Sequence, residues 1–299
     1  MKEESDKSVN LTERNEDYSA IPKNNSESEV LGEVHKAIED LQALGVDPSL
    51  RRVIHRLFER SVNEFYKDDY ATSMQLPEDL LHYTVPDPAG TPLPEPTDMP
   101  QITLESAFNT RRSERSYKNS PVTLADLSGL LHEAIESNNF KNGYGVRNIP
   151  QHPYPNIGGL DPVEIGVMAL NVENLKPGYY VYDKVGHGLI PTIDGNMRLA
   201  LIDASFENDW MFYAPVVLVI SLNTEKVEWK YKTRGYRLAH IDIGAAMENI
   251  YLACMAYNLS CCAVAGYNDE KINKLLHYYP SCDKAVGVLI PIGYSPAAN

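Results

Sequence analysis

The run APVVLVISL at 214–222 decides the fold class. Apart from Ser221 it carries no polar side chain, and Val216, Val217, Val219 and Ile220 are β-branched. Such a run reads as a strand buried on both faces. A strand of that kind needs cover above and below, and its flanks supply it. Downstream, Arg237 to Asn258 is the longest helical pattern, with Ile241, Ala245, Ile250, Ala253, Cys254 and Tyr257 among few charges, so a central helix is expected. Upstream, VEIGVMALNV at 163–172 and YYVYD at 179–183 read as strands, and 196–206 as a helix. Two more strands are expected at 260–266 and 285–294, with a helix between them at 269–278. Helices and strands alternate without an internal repeat, which gives an α+β or α/β class.

Further upstream, a short helix from Leu104 to Asn109 leads into RRSERSY. Thr123 reads as the N-cap of the next helix, with Asp126 three residues on. Leu124, Leu127, Leu130, Leu131 and Ala134 give that helix its buried face. Residues 102–299 thus form the main domain. Before it, residues 86–101 hold Pro86, Pro88, Pro92, Pro94, Pro96 and Pro100, a density that forbids helix and ladder and implies an extended strap. Residues 30–85 read as helical. Val34, Ile38, Leu41 and Leu44 recur at helical spacing, and Leu50 to Phe58 form a second stripe with a basic face. Residues 1–29 carry twelve charges and few large apolar groups, and are expected to lack a fixed fold.

With 27 Lys+Arg against 41 Asp+Glu, the net charge of −14 repels phosphate backbones and argues against nucleic acid as a partner. An anionic cofactor then requires a local basic cluster. No run approaches the roughly 20 apolar residues of a membrane helix. The N-terminus is polar from the start, without a secretory h-region, so a cytoplasmic location is expected. Cys254, Cys261, Cys262 and Cys282 include no metal-binding spacing, so reduced thiols and no metal are expected.

Four motifs carry chemistry. Arg111, Arg112, Ser113 and Arg115 place three guanidiniums and a hydroxyl within five residues, a donor set for phosphate. In Pro155-Asn156-Ile157-Gly158-Gly159, small residues and a rigid turn let main-chain amides approach a flat ligand. Lys230 and Tyr231 are adjacent titratable groups, and the cation favours phenolate. Ala265-Gly266 ends a short strand, where Gly permits close approach of backbone to a ligand. Read singly, each also fits a plain surface turn or a solvated basic stretch.

In their order along the chain these motifs resemble one family. RRSxR, YP-x-x-GG-L-x-P-x-E, KY-x-x-RGYR, D-x-G-x-x-x-x-N and AGYND are similar to the dehydrogenase subunits of thiazole/oxazole-modified peptide synthetases. The resemblance covers residues 104–294. It implies an α+β, nitroreductase-like fold, with a central mixed sheet flanked by helices. It implies a homodimer with FMN at the interface, cyclodehydratase subunits as partners and a precursor peptide as substrate. Arg111, Ser113 and Arg115, with Arg112 beside them, fall on the flavin-binding positions. Pro155, Asn156 and Gly158 fall beside the isoalloxazine, and Ala265 and Gly266 near its N5 edge. Lys230 and Tyr231 fall on the pair assigned to proton abstraction. Asn156 replaces a usual Ser, and Asp161 replaces a usual Tyr, which removes an aromatic wall and adds an acid.

The implied reaction oxidises an azoline ring to an azole. Tyr231 as phenolate is the preferred base, with Lys230 lowering its pKa, and the reverse assignment stands beside it. Adjacent residues on a strand face opposite ways, so the pair must lie on a turn or helix. Asp161 and Tyr267 are the next candidates for the base. Two rivals are an NAD(P)H-dependent nitro or quinone reductase, and a docking subunit that holds a synthetase together.

Overall fold

The computed structural model describes residues 75–296, apart from 97, 207 and 279–283. The tail at 1–29, the two helical stripes between 30 and 58, and Cys282 lie outside the described residues. In chain order the elements are β1 (Thr91–Pro92), α1 (Leu104–Thr110), α2 (Leu124–Ile135), the hairpin β2 (Asn139–Gly143) and β3 (Val146–Gln151), then β4 (Val163–Ala169), β5 (Gly178–Asp183) and β6 (Gly188–Asp194). They continue with α3 (Arg198–Ala204), β7 (Val216–Asn223), α4 (Glu225–Tyr231), α5 (Arg234–Ala256), β8 (Leu259–Cys261), α6 (Asp269–Leu275) and β9 (Lys284–Tyr294). A 3₁₀ turn at Glu78–Thr84 precedes them.

Seven strands form one sheet in the order β1-β6-β5-β4-β7-β9-β8. Every residue of β4 and β7 is buried, as the apolar run at 214–222 requires. Their side chains divide by parity. Val163, Ile165, Val167 and Ala169, with Val216, Leu218, Ile220 and Leu222, pack on α2 and α5. Met168, Val217 and Val219 pack on the opposite face with Leu201 of α3 and Ile272 of α6. This is the period of two expected of a pleated strand covered on both sides.

The same alternation breaks once, in β9. Val286 belongs to the α3/α6 face, but Val288, Ile290 and Ile292 belong to the α2/α5 face. The register against β7 shifts between Ile220 and Ser221, so Gly287 is the extra residue of a bulge. A side chain there would meet Ile243 Cδ1 of α5 at 2.4 Å. Gly287 therefore lets the central helix lie close to the sheet.

The α+β class holds, and the sheet is more uniform than the mixed one expected. Every ladder of that sheet among the described residues is antiparallel. The one parallel pairing among the described residues is an isolated bridge, Val122 with Val172. Short turns join β4, β5 and β6 into a meander, and such turns permit only antiparallel neighbours. The Pro-rich segment is extended but does join a ladder, since Thr91 and Pro92 pair with Leu189 and Gly188. An edge position tolerates Pro because its missing N–H has no inner partner.

Thr123 caps α2 as expected, its Oγ1 accepting from Asp126 N at 3.0 Å. Strand 163–172 stops at Ala169, because Leu170 N and Asn171 N both turn to Pro215 O. Strand 260–266 shrinks to β8 and one bridge, Val264 with Leu289. The long helix starts at Arg234, after a break at Lys232, whose φ is +50°. Truncating Ile220→Ala, fully buried at the centre of the sheet, should cost about 2–5 kcal/mol of stability. A fall in the urea midpoint at unchanged slope checks this.

Candidate functional site

Residues 111–118, between α1 and the loop before α2, are neither helix nor ladder. Arg111, Ser113 and Arg115 turn to one side. The Arg111 guanidinium lies 5.2 Å from the centroid of the Tyr251 ring on α5. Ser113 Oγ is 3.1 Å from the Tyr251 hydroxyl. The Arg115 guanidinium lies 5.8 Å from the Trp210 ring. Glu114 N donates to Cys261 O at 2.9 Å, which pins the segment to the end of β8. Arg112 turns the other way. Its Nη1 donates to Arg111 O, and it lines a groove of about 490 Å³ with Met255 and Asn258. Neither Arg111 nor Arg115 has an ion pair among the described residues, so both cations are available to an anion.

Ala265 and Gly266 are exposed and lie beside this group. Tyr251 accepts from Ala263 N at 2.7 Å. Asn208 Nδ2 donates to Gly266 O at 3.1 Å, and Asn208 Oδ1 accepts from Trp210 Nε1 at 3.2 Å. Cys262 is buried here. Burial pushes its thiol up, while Arg115 pulls against it.

A second group gathers around the turn at 155–159, which borders an open cleft of about 880 Å³. Pro155, Asn156 and Gly158 line this cleft with Tyr144, and His152 and Tyr154 complete one wall. Ile157 N donates to both carboxylate oxygens of Asp242 on α5, at 3.1 Å each. Gly158 and Gly159 take φ values of +71° and +67°. A side chain at Gly158 would meet the Tyr231 hydroxyl at 2.5 Å, so only glycine fits there. Asn156 Oδ1 is buried and has no hydrogen-bond partner among the described residues.

Lys230 and Tyr231 occupy the last turn of α4. A helix end satisfies the requirement that adjacent residues reach one place. Sequence reasoning missed the third member, Tyr144, at the tip of the β2–β3 hairpin. Lys230 Nζ donates to the Tyr144 hydroxyl at 2.5 Å, and that hydroxyl donates to Gly158 O at 2.6 Å. Trp229 meets the Tyr144 ring edge-on at 5.5 Å. Burial pulls the Lys230 ammonium down, but hydrogen bonds to Tyr144 and Tyr231 prevail and hold its pKa above the ordinary value. Lys230 is therefore a firm cation between two phenols.

The other two candidate bases have structural tasks. Asp161 does not line the cleft. It is buried, takes Tyr154 Oη at 2.6 Å and His152 Nε2 at 2.8 Å, and pairs with Lys184. Burial would raise its pKa, but His152 and Lys184 hold it well below the carboxylate range. The Tyr267 hydroxyl donates to Val286 O at 2.8 Å, and burial raises its pKa.

Asp242 and Tyr251, which anchor the two groups, are nine residues apart on α5. That is about 13 Å of helix and opposite faces. One chain thus carries the arginine group and the Tyr144–Lys230–Tyr231 group on opposite sides of α5, and of the second group Tyr144 lines the cleft.

A family model described as the nitroreductase family matches residues 109–294. The chain belongs to the nitroreductase family. A nitroreductase-named protein of Methanocaldococcus jannaschii is 30% identical over 66% of this chain and 93% of its own length. The microcin B17-processing protein McbC of Escherichia coli is 30% identical over 42% of this chain and 48% of its own length. A chain of the E. coli microcin synthetase McbBCD complex with truncated pro-MccB17 bound matches in structure at a TM-score of 0.53 and 22% identity, covering 92% of this chain and 99% of that one. Nitroreductase membership points to an oxidoreductase, and no helix among the described residues is long and apolar enough to cross a membrane.

Asp242 provides a pH test of the turn. Burial, opposed by the Ile157 amide and reinforced by Asp161, raises its pKa to about 7. A carboxyl whose folded pKa is raised stabilises most below its unfolded pKa, and that stability is lost as pH rises through the folded value. The Asp242→Asn variant keeps an acceptor for Ile157 N without the charge. Its melting temperature relative to the parent should therefore rise between pH 5.5 and 8.5, as paired thermal scans would show.

Proposed function

We propose that this nitroreductase-family protein is an FMN-dependent dehydrogenase that oxidises thiazoline or oxazoline rings to azoles in a ribosomally made peptide. The observation that carries the reading is the Tyr144–Lys230–Tyr231 group against the Gly158 turn. A hydride acceptor alone needs no such group, whereas ring oxidation must also remove a proton from carbon. The likeness to the microcin B17-processing protein supports the same class of substrate.

The residues of both groups fit FMN as two half-sites. Arg111, Ser113 and Arg115 offer unpaired cations and a hydroxyl to a phosphate. The unsatisfied Asn156 Oδ1 is an acceptor for a flat heterocycle beside the close-packed glycine turn. When bound, FMN supplies the two-electron acceptor for hydride. Because the half-sites lie on opposite faces of α5, a homodimer that brings one chain's cluster to its partner's cleft completes the site. Partnership with cyclodehydratase subunits belongs to the same proposal.

Where the Gly158 turn borders the cleft, the adjoining Tyr231 oxygen takes the proton from the ring carbon that was the residue's Cα. Lys230, held cationic, stabilises the phenolate, and Tyr144 fixes Lys230 by bridging it to Gly158 O. This favours Tyr231 over Lys230 as base. A second reading, an NAD(P)H-dependent nitro or quinone reductase, is favoured by the archaeal relative, matched over 93% of its length.

Two outcomes test the proposal. Arg111→Ala or Arg115→Ala should weaken FMN binding about tenfold to a hundredfold, read by flavin fluorescence titration. Tyr231→Phe and Lys230→Ala should retain FMN but lose azole formation by about 10²–10⁴. Peptide mass would show each ring stalled before loss of its last two hydrogens. Azole formation at parental rate in the double variant removes the base role. Rapid NADH bleaching of the flavin, with no azoline turnover, selects the reductase.

A further inference from the structure

On the Asp161 side of the turn, a cavity of about 340 Å³ is lined by Tyr83, Pro150, Tyr182, Lys226 and Lys284. Lys226 sits in the first turn of α4, only 7% exposed. Its ammonium lies 3.9 Å from the centroid of the Tyr83 ring. Among the described residues it has no hydrogen bond and no carboxylate within ion-pair distance.

The neighbouring charges are already committed. Asp161 is held by His152 and Lys184. Lys184 also donates to Val163 O at 2.6 Å. Glu164 is held by Lys284 at 3.0 Å and by Asn223 Nδ2 at 3.1 Å. Buried Asp183 accepts from the backbone amides of Asp87, Val185 and Gly186, and Asp87 Oδ1 accepts from Ala89 N. His82 Nδ1 is bonded to Asp79 O, and the Tyr182 hydroxyl to His187 Nδ1. Of the three lysines that line the cavity, Lys184 is engaged by Asp161 and Lys284 by Glu164, and Lys226 is the one whose ammonium has no carboxylate in contact among the described residues. Burial and the adjacent Lys184 pull Lys226 down to about 8, so near neutrality it still carries most of its charge.

We propose that this cavity binds a small organic monocarboxylate. The carboxylate takes the Lys226 ammonium, and a short apolar body lies against Tyr83, Pro150, Val181 and Ile190. One buried ammonium without a contacting carboxylate calls for a single carboxylate, since the other acids that line the cavity would repel a second negative charge. The volume is at the low end of the roughly 300–1,000 Å³ of ligand pockets, which limits the body to a few carbons. The apolar wall disfavours a simple halide. The inference does not depend on the azoline reading, because Lys226 lines neither half-site.

The test is titration calorimetry on the full chain with butyrate, and with butyramide and butylamine as neutral and cationic counterparts. Butyrate should bind saturably at pH 7, and the two counterparts should not. Affinity should fall between pH 7 and 9 as the ammonium loses its proton. Lys226→Met should weaken butyrate about tenfold to a hundredfold, while Lys226→Arg should retain binding. Absence of saturable butyrate binding, equal binding of butyramide, or a flat pH profile would each overturn the proposal on the parent protein alone. Parental affinity in Lys226→Met, shown folded by its melting curve, would also overturn it.

Discussion

The architecture depends on one constraint, the burial of β4 and β7 on both faces. Two adjacent strands with no solvent side need a helical layer above and another below. α2 and α5 supply one, α3 and α6 the other. Once both faces are filled, polar chemistry has little place along the middle of the sheet. It is pushed to the strand ends and the loops beyond them. The arginine segment, the glycine turn, the end of α4 and the hairpin tip all lie there. The helix α5 then links them, since it is long enough to hold one loop by Asp242 and another by Tyr251.

The sequence was most legible where burial leaves a periodic trace. The strands at 163, 179, 214 and 285, and the helices at 124 and 237, follow from apolar spacing alone. The Arg-Ser-Arg alternation and the Gly-Gly turn were legible because residue type dictates their geometry. What escaped was set by tertiary contact. The hairpin Asn139–Gln151 is largely exposed and has no apolar alternation, so Tyr144 carried no signal. Its importance comes only from meeting Lys230, 86 residues further on. The stretch Trp229–Arg237 read as a solvated basic run, and α4, which ends inside it at Tyr231, went unseen because it is short and its buried residues include Lys226. Pro92 hid the edge strand that it joins.

Asp161 shows how a substitution against a family pattern can be misplaced by sequence alone. An acid next to a ligand-binding turn suggests a change in the substrate wall. In the fold the chain turns at φ +47° there and sends the side chain inward. Its carboxylate gathers Tyr154, His152 and Lys184 into one buried network. The charge of Asp161 thus supports the turn from behind, and through Coulomb repulsion it also raises the pKa of Asp242. The two acids that hold this loop are electrostatically linked without touching.

The β2–β3 hairpin forms a two-stranded sheet of its own, outside the seven-stranded one. It brings Tyr144 to the cleft but contributes little to the core. Its length and composition can therefore drift without unsettling the nitroreductase scaffold. Changes along the hairpin away from Tyr144, at Lys141, Asn142 or Gly143, would reshape one wall of the cleft and leave the seven-stranded sheet and its two helical layers as they are.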